Sequence, residues 1–283
     1  MTTVLLQAER LGKRFGAVEA VKDATFCVRP NTITAFLGEN GAGKTTVLKL
    51  LLGFLSPDSG RFSCAAEKVG YVPERPAFFP WLRGDQILQC TARAFGLSGR
   101  EGGRLIDGLC RRIAFDASLL GRKVQTYSLG NQKKFSYLQS LLIDPDLLII
   151  DEPFSALDPV SIKGTRELFR ELRARGKALL LSSHLISELE KVCDEFIIIK
   201  GGRIVAQEDL ARLQEEFVLV RLPRSGWAKR PKELKPRQER ETETGTQMLI
   251  SQSSLWEPGI CWPEGVEVGR PDLESLFLLY SGA

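Results

Sequence analysis

Residues 32–46 constrain this chain more than any other stretch. Thr32-Ile33-Thr34-Ala35-Phe36-Leu37 is an apolar run of strand length, and it leads directly into Gly38-Glu39-Asn40-Gly41-Ala42-Gly43-Lys44-Thr45-Thr46. The spacing is G-x-x-x-x-G-K-[ST]. Its glycines let backbone amides approach and encircle phosphate oxygens, and a helix opening near Gly43 adds its positive dipole end. Lys44 supplies a point charge to terminal phosphates, and the Thr45 hydroxyl can ligate Mg2+.

Two further apolar runs end in the same manner. Leu147-Leu148-Ile149-Ile150 runs into Asp151-Glu152, and Ala178-Leu179-Leu180-Leu181 runs into Ser182-Ser183-His184. Short, nearly continuous apolar runs suit parallel strands covered on both faces. Ligands of open α/β sheets bind beyond the carboxyl ends of such strands, so the three ends are expected to converge on one site. Alone, Asp151-Glu152 reads as a solvated turn. With the glycine loop upstream, Asp151 is expected to hold the magnesium ion and Glu152 to polarise an attacking water. His184 is the single histidine of the chain. It ends its strand at the expected sheet edge, where an imidazole can donate to a γ-phosphate and orient the water.

Between residues 74 and 144 the strand-like runs give way to helical patterns, as over 85–95 and 135–143. The spacing also predicts a helix over 160–175, with Leu168, Phe169 and Leu172 on one face and Gly176 as its stop. A hairpin follows over 195–207, turning at Gly201-Gly202. Beyond about Gln214, residues 217–222 alternate like a strand and 271–280 form a short amphipathic helix. Residues 223–240 are rich in Lys, Arg and Pro, and the basic stretch 221–240 reads as a solvated linker.

Composition narrows the classes. The 283 residues are 43% hydrophobic and 26% charged, which leaves material for a core. A net charge of +4 gives no argument for nucleic acid. Cys27, Cys64, Cys90, Cys110, Cys193 and Cys261 form no close C-x-x-C pair, so reduced thiols in a cytosolic protein are expected rather than zinc or disulfides. The N-terminus lacks the pattern of a signal peptide. No run approaches the ~20 apolar residues that span a bilayer. Any membrane function is therefore expected to run through a partner.

These elements, in this order, resemble the ABC ATPase family over residues 4 to about 210. The resemblance makes Gly38–Thr46 the Walker A motif, with Gly38, Asn40, Gly41, Ala42, Gly43, Lys44, Thr45 and Thr46 on ATP. Walker B is Leu147–Glu152, with Asp151 on Mg2+ and Glu152 as base. The D-loop is Ser155-Ala156-Leu157-Asp158, and His184 is the switch histidine. The signature is Tyr127-Ser128-Leu129-Gly130-Asn131, where the family usually has Leu-Ser-Gly-Gly-Gln; Ser128 and Gly130 are retained. Glu74 stands after Gly70-Tyr71-Val72-Pro73 where the family has glutamine, beside the nucleotide and the magnesium shell. Phe15 occupies the position of an aromatic that stacks on adenine, with core packing as its rival role. Phe78, Phe79 and Trp81 fall where the family receives a cytoplasmic helix of a permease, and the same cluster suits a core.

The resemblance implies an α/β P-loop NTPase. It would have a RecA-like core, an antiparallel N-terminal β subdomain and an inserted helical subdomain at about 75–146. An ATPase domain over 1–214 would precede a small C-terminal α+β appendix over 215–283. The implied function is ATP binding and hydrolysis at the cytoplasmic face of a membrane. A second nucleotide-binding subunit would close with this one around two MgATP and drive a separate integral membrane permease. Glu74, the Tyr-Ser-x-Gly signature and the segment Leu273-Glu274-Ser275-Leu276-Phe277 are similar to an exporter branch. The alternative is a soluble ABC ATPase acting on ribosomes or nucleic acid; a single glycine loop and no sustained heptads count against it. A nucleotide-gated regulator without turnover is disfavoured by Glu152 and His184.

Overall fold

The computed structural model describes residues 4–224, 235–255 and 262–282. Outside these lie Met1–Thr3, residues 225–234 of the basic stretch, residues 256–260, Cys261 and Ala283.

Strands β1 (Leu6–Phe15) and β2 (Val18–Val28) pair antiparallel across a turn at Gly16, whose φ of 58° suits a residue without Cβ. Next come β3 (Ile33–Leu37), helix α1 (Lys44–Leu51), β4 (Ser59–Cys64) and β5 (Val69–Val72). β4 closes on the free edge of β1, giving an antiparallel sheet in the order β2-β1-β4.

A helical lobe follows, with α2 (Gly84–Ala94), α3 (Gly99–Arg112) and α4 (Leu129–Leu141). Ser98 starts α3 through a reciprocal capping box with Glu101. The lobe has its own core, including Leu88, Ile106, Phe115, Tyr127, Phe135 and Leu138.

The chain then runs through β6 (Leu147–Asp151), α5 (Pro159–Ala174), β7 (Ala178–Ser182), α6 (Ile186–Glu190), β8 (Glu195–Lys200) and β9 (Arg203–Asp209). A six-stranded sheet orders these as β5-β6-β7-β3-β8-β9, parallel except for the β8–β9 hairpin. The apolar runs are continuous because both faces of this sheet are covered. Leu148, Ile150, Leu179 and Leu181 point into a cluster with Leu168, Phe169 and Leu172 of α5. Leu147, Ile149, Ala178 and Leu180 point the other way, toward α1 and the antiparallel sheet. Each of these leucines, isoleucines and phenylalanines contributes about 1.5–3 kcal/mol by leaving water. The site therefore stands on a stiff platform.

The C-terminal region comprises α7 (Leu210–Glu216), β10 (Phe217–Pro223), β11 (Gln238–Glu241), β12 (Gly245–Ser251), α8 (Gln252–Leu255), β13 (Glu267–Gly269) and α9 (Leu273–Ser281). Its antiparallel sheet has the order β11-β12-β10-β13. Leu273, Leu276 and Leu279 of α9 share one apolar cluster with Leu179 and Phe196 of the large sheet, so this region packs directly on the core. The described ends of the basic stretch correct the linker expectation. Arg221 to Pro223 belong to β10, and Gln238 to Arg240 belong to β11. Arg237 pairs with Glu208, and its guanidinium lies 4.9 Å from the centre of the Phe217 ring. Charge suits the edge strand β11, because it blunts an edge that would otherwise pair with another chain. Among the described residues no helix is long and apolar enough to cross a membrane.

Candidate functional site

The site exists because three strands end level. Ser182 at the end of β7 pairs with Phe36 of β3 on one side and with Asp151 of β6 on the other. β7 is an interior strand, so the edge that His184 occupies is the carboxyl edge of the sheet and not a lateral one. A cavity of about 210 Å3 opens there, lined by Ala20, Glu39, Asn40, Gly41, Gly43, Lys44, Thr45, Thr46, Glu74, Asp151 and Glu152. A roomier cleft of about 610 Å3 lies elsewhere, among Arg104, Leu109, Arg112, Leu172 and Lys177. It adjoins no carboxyl end of a strand, since Lys177 precedes the start of β7, and its one acid, Asp144, is paired with Lys177. Volume alone does not locate the chemistry.

The glycine loop has the shape of a cradle. Gly41 and Gly43 have φ of 82° and 108°, and a Cβ on Gly43 would lie 2.5 Å from the carbonyl oxygen of Ala20. Gly38 and Ala42 do not line the cavity. Gly38 passes so close to β8 that a Cβ would meet the Ile199 oxygen at 2.7 Å. Ala42 is buried and accepts a hydrogen bond from the Gly202 amide at 3.0 Å. These two fix the loop from behind. Lys44 donates from Nζ to the carbonyl oxygens of Gly38 and Glu39, the latter at 3.1 Å. Burial lowers its pKa, and the charges of Glu152 and Asp151 oppose that shift.

The acid pair is held by the serine pair opposite. Ser182 Oγ donates to Asp151 Oδ1. Burial raises the pKa of Asp151, and the Ser182 hydrogen bond counteracts this. Among the described residues no group of three or more His, Cys, Asp or Glu could hold a metal. The Thr45 hydroxyl and the Asp151 carboxylate are hard oxygen donors, and Mg2+ takes few protein ligands, drawing the rest from water and phosphate. The donor set fits that ion.

Glu152 has φ of 51°, a left-handed conformation costly for a side chain of this kind. Four contacts with the end of β7 hold it there. Its amide donates to the Ser182 carbonyl at 2.8 Å. Its carboxylate accepts from Ser183 Oγ at 2.8 Å and from the His184 amide at 3.1 Å, and His184 Nδ1 lies 2.9 Å from Oε2. The imidazole, 64% exposed, keeps Nε2 available for a ligand. A carboxylate and an imidazole fixed against each other beside a phosphate cradle can take a proton from water and donate a hydrogen bond to an oxyanion.

Phe15, Ser128, Gly130, Asp158 and His184 do not line this cavity. Phe15 is 48% exposed, which removes core packing as its role. Ser128 caps α4, accepting from the Asn131 amide at 3.2 Å. Asp158 caps α5, accepting from the amides of Val160 and Ser161 at 3.0 Å each. Signature and D-loop touch: a Cβ on Gly130 would lie 2.8 Å from the Ala156 carbonyl oxygen.

The ABC transporter family model matches residues 21–155. ABC transporter ATP-binding protein YxlF of Bacillus subtilis is 36% identical over 218 residues, covering 75% of this chain and 73% of that protein. The chain belongs to the ABC transporter family. It is an ATP-binding subunit and an ATPase, with the P-loop NTPase fold. Nod factor export ATP-binding protein I of Ralstonia nicotianae is 35% identical over 217 residues, covering 73% of this chain and 67% of that protein. A solved ATP-binding subunit of an ABC transporter aligns with a TM-score of 0.70 at 32% identity, covering 74% of this chain and 92% of that one.

The departures of this ABC subunit from the usual motifs have local causes. Tyr127, in place of the signature leucine, is buried and donates to the Leu119 carbonyl at 2.7 Å. Its ring meets Phe135 edge-on at 5.7 Å, which ties the signature to the helical core. Leu129, in place of a glycine, is 72% exposed. The aromatic cluster divides: Phe78 packs edge-on against Phe135 at 5.1 Å, whereas Phe79 and Trp81 are 62% and 64% exposed and lie 5.6 Å apart.

Sequence reasoning passed over three residues of the site. Ser182 and Ser183 were visible only as the prelude to His184, yet each holds one acid. Lys133 is buried, with Nζ donating to the Asp151 carbonyl at 2.8 Å and the Pro73 carbonyl at 3.0 Å. Its spacing held a signal: Lys133, Tyr137 and Leu141 recur every four residues, and the latter two face the sheet.

Proposed function

We propose that this ATP-binding subunit is one half of a nucleotide-sandwich dimer that drives a separate membrane permease in the export direction. Backbone amides of Asn40 to Thr46 and the Lys44 ammonium bind the phosphates, and Phe15 stacks on adenine. Thr45 and Asp151 would hold Mg2+, with Glu74 beside its shell. The ion, when bound, neutralises charge on the β- and γ-oxygens. Glu152 takes the proton of the attacking water. His184 keeps Nδ1–H on Glu152 and, with a proton on each ring nitrogen, donates Nε2–H to the γ-phosphate. Catalysis is then positioning plus electrostatics.

One observation carries the dimer. Ser128, Gly130 and the N-terminus of α4 stand apart from the cavity of their own chain. A capped helix N-terminus is an anion site in search of an anion, and the phosphates of a second subunit supply it. Asp158 lies beside that surface through Ala156. Phe79 and Trp81 offer exposed aromatic anchors of the kind that dominate interfaces, and a cytoplasmic helix of the permease is their partner. The chain itself then sits peripherally at the cytoplasmic face. Likeness to a protein named for Nod factor export supports the direction, as do Glu74 and the Tyr-Ser-x-Gly signature.

Sedimentation with a slowly hydrolysed ATP analogue is expected to give a dimer that Ser128→Arg abolishes without loss of analogue binding. A monomer at saturating analogue removes the sandwich. From detergent-solubilised membranes, a polytopic membrane protein should copurify and be lost on Trp81→Ala; ribosomes in its place favour the alternative function. The serine pair gives a second expectation. Ser183→Ala removes a charge-assisted hydrogen bond from Glu152, so kcat should fall roughly tenfold while ATP affinity holds. An unchanged kcat would show that Ser183 does not position the base.

A further inference from the structure

Glu74, Asp151 and Glu152 all line the cavity that must also receive a triphosphate. Like charges that share one cavity repel by an amount that grows as water leaves. Behind them stands Lys133, on the inner face of α4 and five residues beyond the cap Ser128. Its side chain is among the largest fully buried ones in the chain. It ties together the two backbones that present these acids, for Pro73 immediately precedes Glu74 and Asp151 precedes Glu152.

A buried ammonium is an expensive way to satisfy two carbonyls. Desolvating it costs several kcal/mol, and a neutral amide could donate to the same oxygens. The charges that act on this ammonium are those of Asp151 and Glu152 and then of Glu74. The family norm at position 74 is a neutral glutamine, so this chain carries one extra negative charge at the cavity mouth. We propose that Lys133 is a positioning residue for ATP hydrolysis whose charge compensates the carboxylate of Glu74, making the two residues one functional pair. The inference rests on the proposed roles of Asp151 and Glu152. It adds that the signature helix carries the counter-charge for the metal-side acids, so any movement of α4 changes the field at the Mg2+ position.

A charge pair and a mere tether differ in one measurable respect. The readout is the Mg2+ concentration at half-maximal binding of a fluorescent ATP analogue, with kcat measured alongside. Lys133→Gln keeps an amide donor for the carbonyls but removes the charge. The midpoint should then fall, because the acids attract the cation more strongly. Glu74→Gln should raise it. Each shift is expected to be about three- to tenfold, and the double variant should return close to the wild type. Lys133→Arg should leave the midpoint near wild type. Shifts in the same direction, no return in the double variant, or an Arg variant that behaves like Gln would each overturn the pairing. Should Lys133→Gln fail to fold, recovery of folding in the double variant supports the pairing and failure of both overturns it. Glu152→Gln, assayed in parallel, separates the two levels: if it retains turnover, the reading of the site has failed, whatever the cycle reports.

Discussion

Glu152→Gln is expected to lower ATP turnover by at least about a hundredfold, the range of a removed general base, while ATP binding persists. The substitution keeps the size and shape of the side chain, so the comparison isolates the charge and the basicity. The amide oxygen can take the place of Oε1 and still accept from the His184 amide, now at 3.1 Å. The amide nitrogen then faces Ser183 Oγ, which can accept, and His184 Nδ1, which must give up its proton to accept. The local network survives with one tautomer change, so thermal stability should move little. A water in line with the γ-phosphate loses the group that takes its proton. In the proposed dimer, where opening would follow hydrolysis, the variant should also accumulate as an ATP-bound dimer, read by size-exclusion chromatography with retained nucleotide. Near-normal hydrolysis would place the base elsewhere and dissolve the role given to the left-handed turn at Glu152.

The parts of this site legible in the sequence are those where backbone and side chain are constrained together. The glycine loop is one. Gly43 cannot carry a Cβ beside Ala20, and Lys44 must follow to reach the phosphates, so the spacing leaves a signature in residue types. The strand ends are another, because a sheet covered on both faces demands unbroken apolar runs that stop where the ligand begins. Lys133 was not legible because a lysine in a helix is ordinarily solvated, and Lys134 beside it offers no contrast in type; only packing decides which of the two turns inward. The serines escaped because a hydroxyl after a strand suits a turn as well as an acid's partner. The ends of the basic stretch misled for the same reason. Arg237 looks like part of a solvated run until Glu208 and the Phe217 ring, both distant in sequence, are brought beside it.

Lys44→Ala is expected to weaken ATP binding by about a hundredfold or more. A charge-assisted hydrogen bond is worth about 1.5–3 kcal/mol, and in the proposed site this ammonium serves the terminal phosphates. Two losses act together. The first is electrostatic: Asp151 and Glu152 remain in the cavity, and their charges, now held off by Lys44, would face the incoming triphosphate directly. The second is conformational: Nζ donates to the carbonyls of Gly38 and Glu39, so its removal also frees the loop that arrays the amides. Lys44→Arg separates them. It keeps the charge but replaces a compact donor with a planar fork too large for the loop's interior, so it should bind ATP more tightly than the alanine variant yet below the wild type. Equilibrium titration with a fluorescent ATP analogue measures all three proteins. An alanine variant within about threefold of wild type would mean that the phosphates do not sit in this loop, since no other cation lines the cavity among the described residues to replace the lost one.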